Sequence, residues 1–561
     1  MKHRLLQLAA PALLAAAALS SRSAQACGGF FCSQSQPVNQ SAERIIFADN
    51  GDGTITAVIQ IQYQGPSESF SWLLPIGSLP EGDELGVGSD LAFTRLQSAT
   101  NPQYNLITEV EGSCSGNGGR GLVAPAAADE QEVRPDDPSV NVDARGVVGP
   151  FEWSVISVDP NVADPAAPAA DWLTQNGYDI PEGGASLIGP YLADGMHLLA
   201  LRLTKDADTG SIRPIRITYA ADAPMIPIKL TAVAATQDMG VMTWALSSAR
   251  AVPFNYNALE LNEARINWFN AASNYNQVVT EAADEAGGQG FVTEFAGPSI
   301  QLANVVWSDA DEQGWQSIRG TTYSSFTGIF DTLYNNYQGY SGFWDAIRRS
   351  VTLEPPLTFE DFQACPTCYR SDDYQFSPSQ LFDAFDRDVI EPLRSTQELI
   401  DAAPYATRLY STLSAAEMTV DPVFVFNPDL PDVNNIHQAT QVIECGDDVT
   451  QSEASWRIEL PQGGVVRGRA GDVGLWPAAF AEQPPNVAIR ALSASGEGAV
   501  VADNGETIGD MLASYNAGVP STSGGSGGFC NMSPAPGSTP LALLVLGGAL
   551  GALTWRRRQP S

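Results

Sequence analysis

Residues 44–63, RIIFADNGDGTITAVIQIQY, hold two β-rich runs on either side of Asn50-Gly51-Asp52-Gly53. Asn-Gly and Asp-Gly tolerate the positive φ angles of tight hairpin turns, while Ile, Val, Thr and Tyr suit a pleated surface, so the stretch predicts a β-hairpin. In the second arm Ile55, Ala57, Ile59, Ile61 and Tyr63 fall on one face and Thr54, Thr56, Gln60 and Gln62 mostly on the other, the alternation of a half-buried strand. The N-terminal part is therefore expected to be built on a sheet.

Working outward, SFSWLLPIG (69–77) continues as a strand that Pro75 is expected to stop. LLALRLTKDADTGSIRPIRITYAA (198–221) reads as a second hairpin turning at Asp206–Gly210, with further strands through IPIKLTAVAA and GVMTWALSSARAVPF. Residues 115–150 and 159–170 are rich in Gly, Ala, Pro and Asp and read as surface loops. After Tyr256 the period changes: Trp268, Ala272, Tyr275, Val279, Ala282 and Ala286 recur at spacings of four and three, predicting one amphipathic helix closed by Gly287-Gly288. Helices are also expected in SFTGIFDTLYNNY and GFWDAIRRSV. Another is expected from Ser377, with Pro378 in its first turn, Gln380 closing a capping box and Pro392 kinking or ending it. After Met418 the pattern returns to strands in PVFVFNP, SWRIELP, GGVVRGRA and NVAIRALSA. The expected class is α+β, with a β-rich region 27–255, a mainly helical region 256–417 and a β-rich region 418–520.

The chain has 561 residues, 44% of them hydrophobic, with 64 acidic against 29 basic side chains and a net charge of −35. That is ample for packed domains and excludes disorder of the whole. So acidic a surface repels nucleic acid and anionic lipid head groups, so neither is an expected partner of the ectodomain. It suits solubility, and loose association with divalent cations.

The ends speak of location. Lys2, His3 and Arg4 precede an apolar run and then Ala24-Gln25-Ala26, the pattern of a signal peptide over residues 1–26 cut after Ala26. Cys27 would then lead the mature chain, where a lipid anchor is the alternative to a disulfide. Residues 521–538 form a Gly/Ser/Pro linker containing Cys530. Residues 539–561 carry an apolar run and Arg556-Arg557-Arg558, which reads as a membrane-anchoring tail. Setting Cys530 aside as a processing site leaves Cys27, Cys32, Cys114, Cys365, Cys368 and Cys445, an even number that reads as up to three disulfides in an oxidising compartment.

Candidate chemistry is sparse. Cys365-Pro-Thr-Cys368 is a CxxC, read first as a structural disulfide, with thiol–disulfide exchange or zinc as alternatives. Beyond the leader only His197 and His437 remain, and neither stands in a metal-binding arrangement. His197 heads an expected strand and reads as a core or edge residue. The GxSxG at 524–528 lies in the linker and carries no nucleophile elbow. Asp49 and Asp52, or Asp206 and Asp208, could offer oxygens to calcium, though turn chemistry accounts for both pairs. Glu360 and Asp361 are the carboxylates an exported hydrolase would use, without a specific motif around them. No catalytic or cofactor-binding residue is assigned.

Two resemblances add to this reading. Linker, lone Cys530, apolar span and arginine cluster resemble the MYXO-CTERM class of sorting tails, which implies cleavage near the cysteine by a processing protease and anchoring at, or release from, the cell surface. ACGGFFC, VIQIQYQGPSESFSWLLPIGS, WLTQNGYDIP, IRPIRITYAADAPMIPIKLTAVAA and TRLYSTLSAAEMTVDPVFVFNP resemble the domain-of-unknown-function family 2330 of bacterial exported proteins. That resemblance implies export and one large unit, and brings no catalytic residues. The expectation is thus a non-enzymatic component of the cell envelope or outer surface, membrane-anchored or released. It would bind a protein, a polysaccharide or a divalent cation; an acidic hydrolase and a thiol-active protein are the alternatives.

Overall fold

The computed structural model describes residues 39–519, apart from 65–70, 113–140, 160–161, 179–183, 204–211, 446–449, 451–452, 470–471 and positions 234, 324, 371 and 473. The signal peptide, Ala26, Cys27, Cys32, Cys114, Asp206, Asp208, the linker with Cys530 and the tail lie outside the described residues.

The expected hairpin is present. Asn39–Asp49 and Thr54–Gln64 pair antiparallel, with Ile45 opposite Ile59. Gly51 and Gly53 take φ of 73° and 88° in the turn, conformations that only glycine adopts without strain. Asp49 Oδ1 accepts from the Gly51 amide at 3.0 Å, and Asp52 Oδ1 from the Thr54 amide at 3.0 Å. The calcium candidates Asp49 and Asp52 thus close the turn.

The half-buried strand is corrected. Thr56 and Gln60 are buried as fully as Ile55 and Ile59, because the hairpin lies inside a ten-stranded mixed sheet covered on both faces. Across that sheet the order is Ala499–Asp503, Asn486–Ala491, Asn257–Leu261, Gly290–Pro298, Tyr405–Leu413, Ala235–Ser247, Asn39–Asp49, Thr54–Gln64, Ile215–Ala220 and Leu85–Val87. Strands from all three sequence regions share it. Inside, Thr56 Oγ1 meets Thr218 Oγ1 at 2.8 Å and Gln60 donates to Asp90, while Gln60 Oε1 has no partner among the described residues.

Alternation then builds two cores. Ile45, Phe47, Ala57, Ile59, Val241 and Ala245 face one way, against a four-stranded sheet whose Leu199, Leu201 and Val155 meet them. Ile46, Val58, Trp244 and Leu246 face the other way, toward the helices and a second four-stranded sheet. Each such fully buried aliphatic side chain contributes roughly 1.5–3 kcal/mol. The first four-stranded sheet runs Ser71–Ile76, His197–Leu203, Phe151–Ser157, Asn141–Val148, and the second Val465–Gly468, Ser455–Glu459, Ile436–Glu444, Gln103–Glu111. Pro75 lies inside the edge strand Ser71–Ile76 instead of stopping it; an edge position does not need its missing N–H. Asn141–Val148 and Ala166–Gln175 form a strand and a helix where loops were expected, and Ile228–Thr231 is a short helix.

The second hairpin is also corrected. His197–Leu203 and Ile215–Ala220 do not pair with each other; the first joins the four-stranded sheet and the second the ten-stranded one. Leu199, Leu201 and Leu203 of the first and Ile215 and Ile217 of the second meet in one core from two different sheets. His197 does head its strand, with Nδ1 3.3 Å from Asp143 Oδ2.

The architecture is α+β, strand-rich at both ends with helices concentrated between. Phe326–Tyr337 and Phe343–Ser350 form as expected. The long helix from Trp268 is shorter: Trp268–Asn270 is one 3-10 turn, Ala271 and Ala272 take φ of 42° and 57°, and the α-helix is Tyr275–Glu285. Asn267 and Asn274 compete for the backbone here, Asn267 Oδ1 accepting from the Asn270 amide and Asn274 Oδ1 from the Asn267 amide. Ser377 caps Pro378–Phe385 without the expected side-chain bond, its hydroxyl lying 3.0 Å from that of Ser379. Pro392 starts a new helix, Glu391–Ala402, after a π-turn at Asp386–Ile390. Cys365 and Cys368 form a disulfide after the helix Phe359–Ala364, and Cys445 is likewise disulfide-bonded. Among the described residues no helix is long and apolar enough to cross a membrane.

Candidate functional site

A cavity of about 510 Å³ opens between the ten-stranded sheet and the parallel pair Gln103–Glu111 and Ile436–Glu444. Its size fits a small-molecule site. Its polar wall is assembled from side chains far apart in the sequence, from Tyr104 to Glu497.

His437 and Tyr104 are direct partners in the parallel register, so their rings stack at 4.5 Å with 11° between planes. The edge of Tyr104 meets Trp268 at 5.1 Å. Glu263 begins a 3-10 turn directly after the strand Asn257–Leu261. Asn262, Trp268 and Gln462 are among the residues whose bonds hold that turn. Asn262 Oδ1 accepts from the Ala264 amide at 3.0 Å, the Trp268 indole donates to the Glu263 carbonyl at 2.9 Å, and the Glu263 amide donates to Gln462 Oε1 at 3.2 Å.

Glu263 is 3% exposed, and its Oε1 lies 2.8 Å from His437 Nδ1. A carboxylate only accepts, so Nδ1 carries the proton, and His437 itself lines the cavity. Glu263 Oε2 is buried with no hydrogen-bond partner among the described residues.

Beside this pair stands Glu294. The register of Gly290–Pro298 against Tyr405–Leu413 slips between Thr293 and Phe295. A bulge of this kind re-aims the extra side chain. Glu294 Oε1 accepts from the Tyr275 hydroxyl at 2.7 Å, and Oε2 lies 2.6 Å from Arg408 Nε. Burial pushes the Glu294 carboxyl above its ordinary range, against the pull of Arg408 and Tyr275. Burial also raises the Tyr275 and Tyr104 hydroxyls, reinforced by the neighbouring glutamates. Arg408 is fastened from behind: it donates to the Gln97 carbonyl at 3.2 Å and Thr100 Oγ1 at 3.1 Å, and lies over the Trp244 ring.

The residues singled out from sequence lie elsewhere. Asp361 accepts from Thr358 in a capping box, and Glu360 is its exposed neighbour in the same first turn. Adjacent helical residues point apart, so the two do not make a catalytic pair. The Cys365–Cys368 disulfide, Asp49 and Asp52 are outside the cavity lining. Sequence reading missed Glu263, Glu294, Arg408 and the role of His437. A signal existed for two of them, since Glu294 and Arg408 each interrupt a strand of otherwise buried, mostly apolar residues.

Neither a curated protein nor a solved structure matches the chain. The model of one family does, over residues 21–310, a span that contains Tyr104, Glu263, Tyr275 and Glu294 but not Arg408 or His437. That span exceeds half of the 561 residues, and the chain belongs to this family, described as "Uncharacterized protein conserved in bacteria (DUF2330)".

Proposed function

We propose that this is an exported cell-envelope protein whose ectodomain binds a small ligand in the cavity beside Glu263 and His437. The observation that carries the reading is Glu263, a lining carboxylate that is 3% exposed and whose Oε2 has no hydrogen-bond partner among the described residues. A buried acceptor in this state costs about 1–3 kcal/mol, which a ligand N–H or O–H reaching it would recover. Leu259, Leu261, Val292 and Leu492 supply the apolar remainder of the lining. This replaces the broader expectation of a protein, polysaccharide or divalent-cation partner with a small solute.

Histidine NMR gives the test. The chain has three histidines, and His197 lies outside the cavity lining, so His437 can be followed against an internal control. Titration with phenethyl alcohol and phenethylamine should shift the His437 imidazole and leave His197 unmoved. Shifts at neither residue, at any concentration up to about 10 mM, would exclude a site of even millimolar affinity.

A second reading rests on the dyad itself. A cavity-lining imidazole whose Nδ1–H is held by a buried carboxylate can act through Nε2 as a general base. Catalysis would require hydrolytic turnover that His437→Gln abolishes while ligand binding survives.

The ends support export and surface anchoring. Peptide mass spectrometry of native protein, unreduced, should find a mature start at Cys27 and an end near Cys530. It should also find Cys445 linked to Cys114, because Gly112, two residues before Cys114, packs directly against Cys445. A link from Cys445 to any other cysteine would overturn that pairing.

A further inference from the structure

We infer that the cavity selects a cationic ligand, a primary or substituted ammonium on an apolar body; this rests on the cavity being a ligand site at all. Five carboxylates line it, Glu260, Glu263, Glu294, Asp429 and Glu497, against two arginines, Arg250 and Arg490. Two of the five are already neutralised. Glu294 is paired with Arg408, and Glu260 Oε1 accepts from Arg490 Nε at 2.5 Å. Arg250 is turned to protein groups, donating to the Pro431 carbonyl at 3.0 Å and Thr293 Oγ1 at 3.2 Å. Glu263, Asp429 and Glu497 therefore outnumber the remaining cation, and the cavity stays net negative even with His437 protonated.

The excess of acid alone would describe a solvated rim. What turns it into a preference is Glu263, a lining carboxylate whose side chain is 3% exposed and whose Oε2 has no donor among the described residues. A cationic donor adds Coulomb attraction to the hydrogen bond that any donor makes to a carboxylate, and that attraction is stronger away from water. An anionic ligand would meet the same oxygen with repulsion and no hydrogen bond. Tyr104 and Tyr275 also line the cavity, and aromatic faces attract ammonium groups.

The test compares phenethylamine, phenethyl alcohol and hydrocinnamate, which share a ring and differ in head group, by calorimetry on the folded ectodomain. The amine should bind about tenfold or more tighter than the alcohol, with hydrocinnamate weakest. Glu263→Gln should cut the preference for amine over alcohol to under about threefold. Because that variant also alters the tie to His437, the exposed Glu497→Gln serves as the second. It should weaken the amine by about two- to threefold and leave the alcohol unchanged. Alcohol or hydrocinnamate binding as tightly as the amine would overturn the cation preference while leaving the cavity reading intact. Failure of all three to bind, with His437 unmoved, would overturn both.

Discussion

Replacing Arg408 by Met is expected to cost about 3–5 kcal/mol of folding stability, because it strands the Glu294 carboxylate in the interior. Glu294 and Arg408 are each 2% exposed, so water cannot take over when the guanidinium is removed. Met retains much of the packing over Trp244, which confines the loss to the charge. The double variant Arg408→Met/Glu294→Gln should recover at least about half of it, since a buried pair removed whole costs far less than one broken. Gln can still accept from the Tyr275 hydroxyl. Urea unfolding of the two variants beside the parent measures this. A single-variant loss under about 1 kcal/mol would mean that the pair behaves as a surface ion pair, against its burial.

The deficit should also depend on pH in a definite sense. Burial already raises the Glu294 carboxyl, and Arg408 is among the groups that restrain it. Without Arg408 the folded-state pKa rises further. The folded state then holds a proton that the unfolded state releases once pH passes the ordinary carboxylate value of 4.5. Stability must fall with pH wherever the folded state binds more protons. The Arg408→Met deficit should thus be small near that value, grow as pH rises toward the raised pKa, and level off beyond it. A deficit that does not change with pH would show that Glu294 is not the group left uncompensated.

The same pair marks how far the sequence could be read. The hairpin at residues 44–63 was legible because turn chemistry and alternation are local, and its register followed. The number of faces it buries was not legible, because Thr56 and Gln60 look solvent-facing until Thr218 and Asp90, far away in the chain, supply their partners. The false hairpin at 198–221 has a related origin: two strands joined by a turn-like sequence pack their apolar faces into one core from two different sheets instead of pairing with each other. At the site, Glu294 and Arg408 announce themselves as charges within buried strands, whereas His437 and Tyr104 meet only through a parallel pairing between strands more than 300 residues apart. No local pattern encodes such a register. The helix lost at Trp268 was a correct period overruled by asparagines that bond the backbone themselves.

Trp456→Ala should be the most damaging change in the second four-stranded sheet, costing about 3–5 kcal/mol as a large buried indole is removed. Trp456 is 1% exposed, and its ring lies over Gly468 on the adjacent strand so closely that a Cβ there would overlap it. Gly468→Ala is accordingly expected to cost about 1–3 kcal/mol by overpacking. The two changes should not add. Once Trp456 is Ala, the space over residue 468 is open, and Gly468→Ala should become nearly neutral or favourable in that background, which a double-mutant cycle measures. The consequence reaches the cavity through a run of rings: Phe269 meets Trp456 edge-on at 5.0 Å and Trp476 at 6.0 Å, and the Trp476 indole donates to the Ala264 carbonyl at 3.0 Å. Ala264 belongs to the turn that presents Glu263. Loosening Trp456 should therefore shift the His437 imidazole resonance in the free protein and weaken phenethylamine binding, although Trp456 does not line the cavity. A Trp456→Ala protein with lowered stability but an unmoved His437 would show that the turn stands by its own bonds to Asn262, Trp268 and Gln462, and that the aromatic run serves the fold alone.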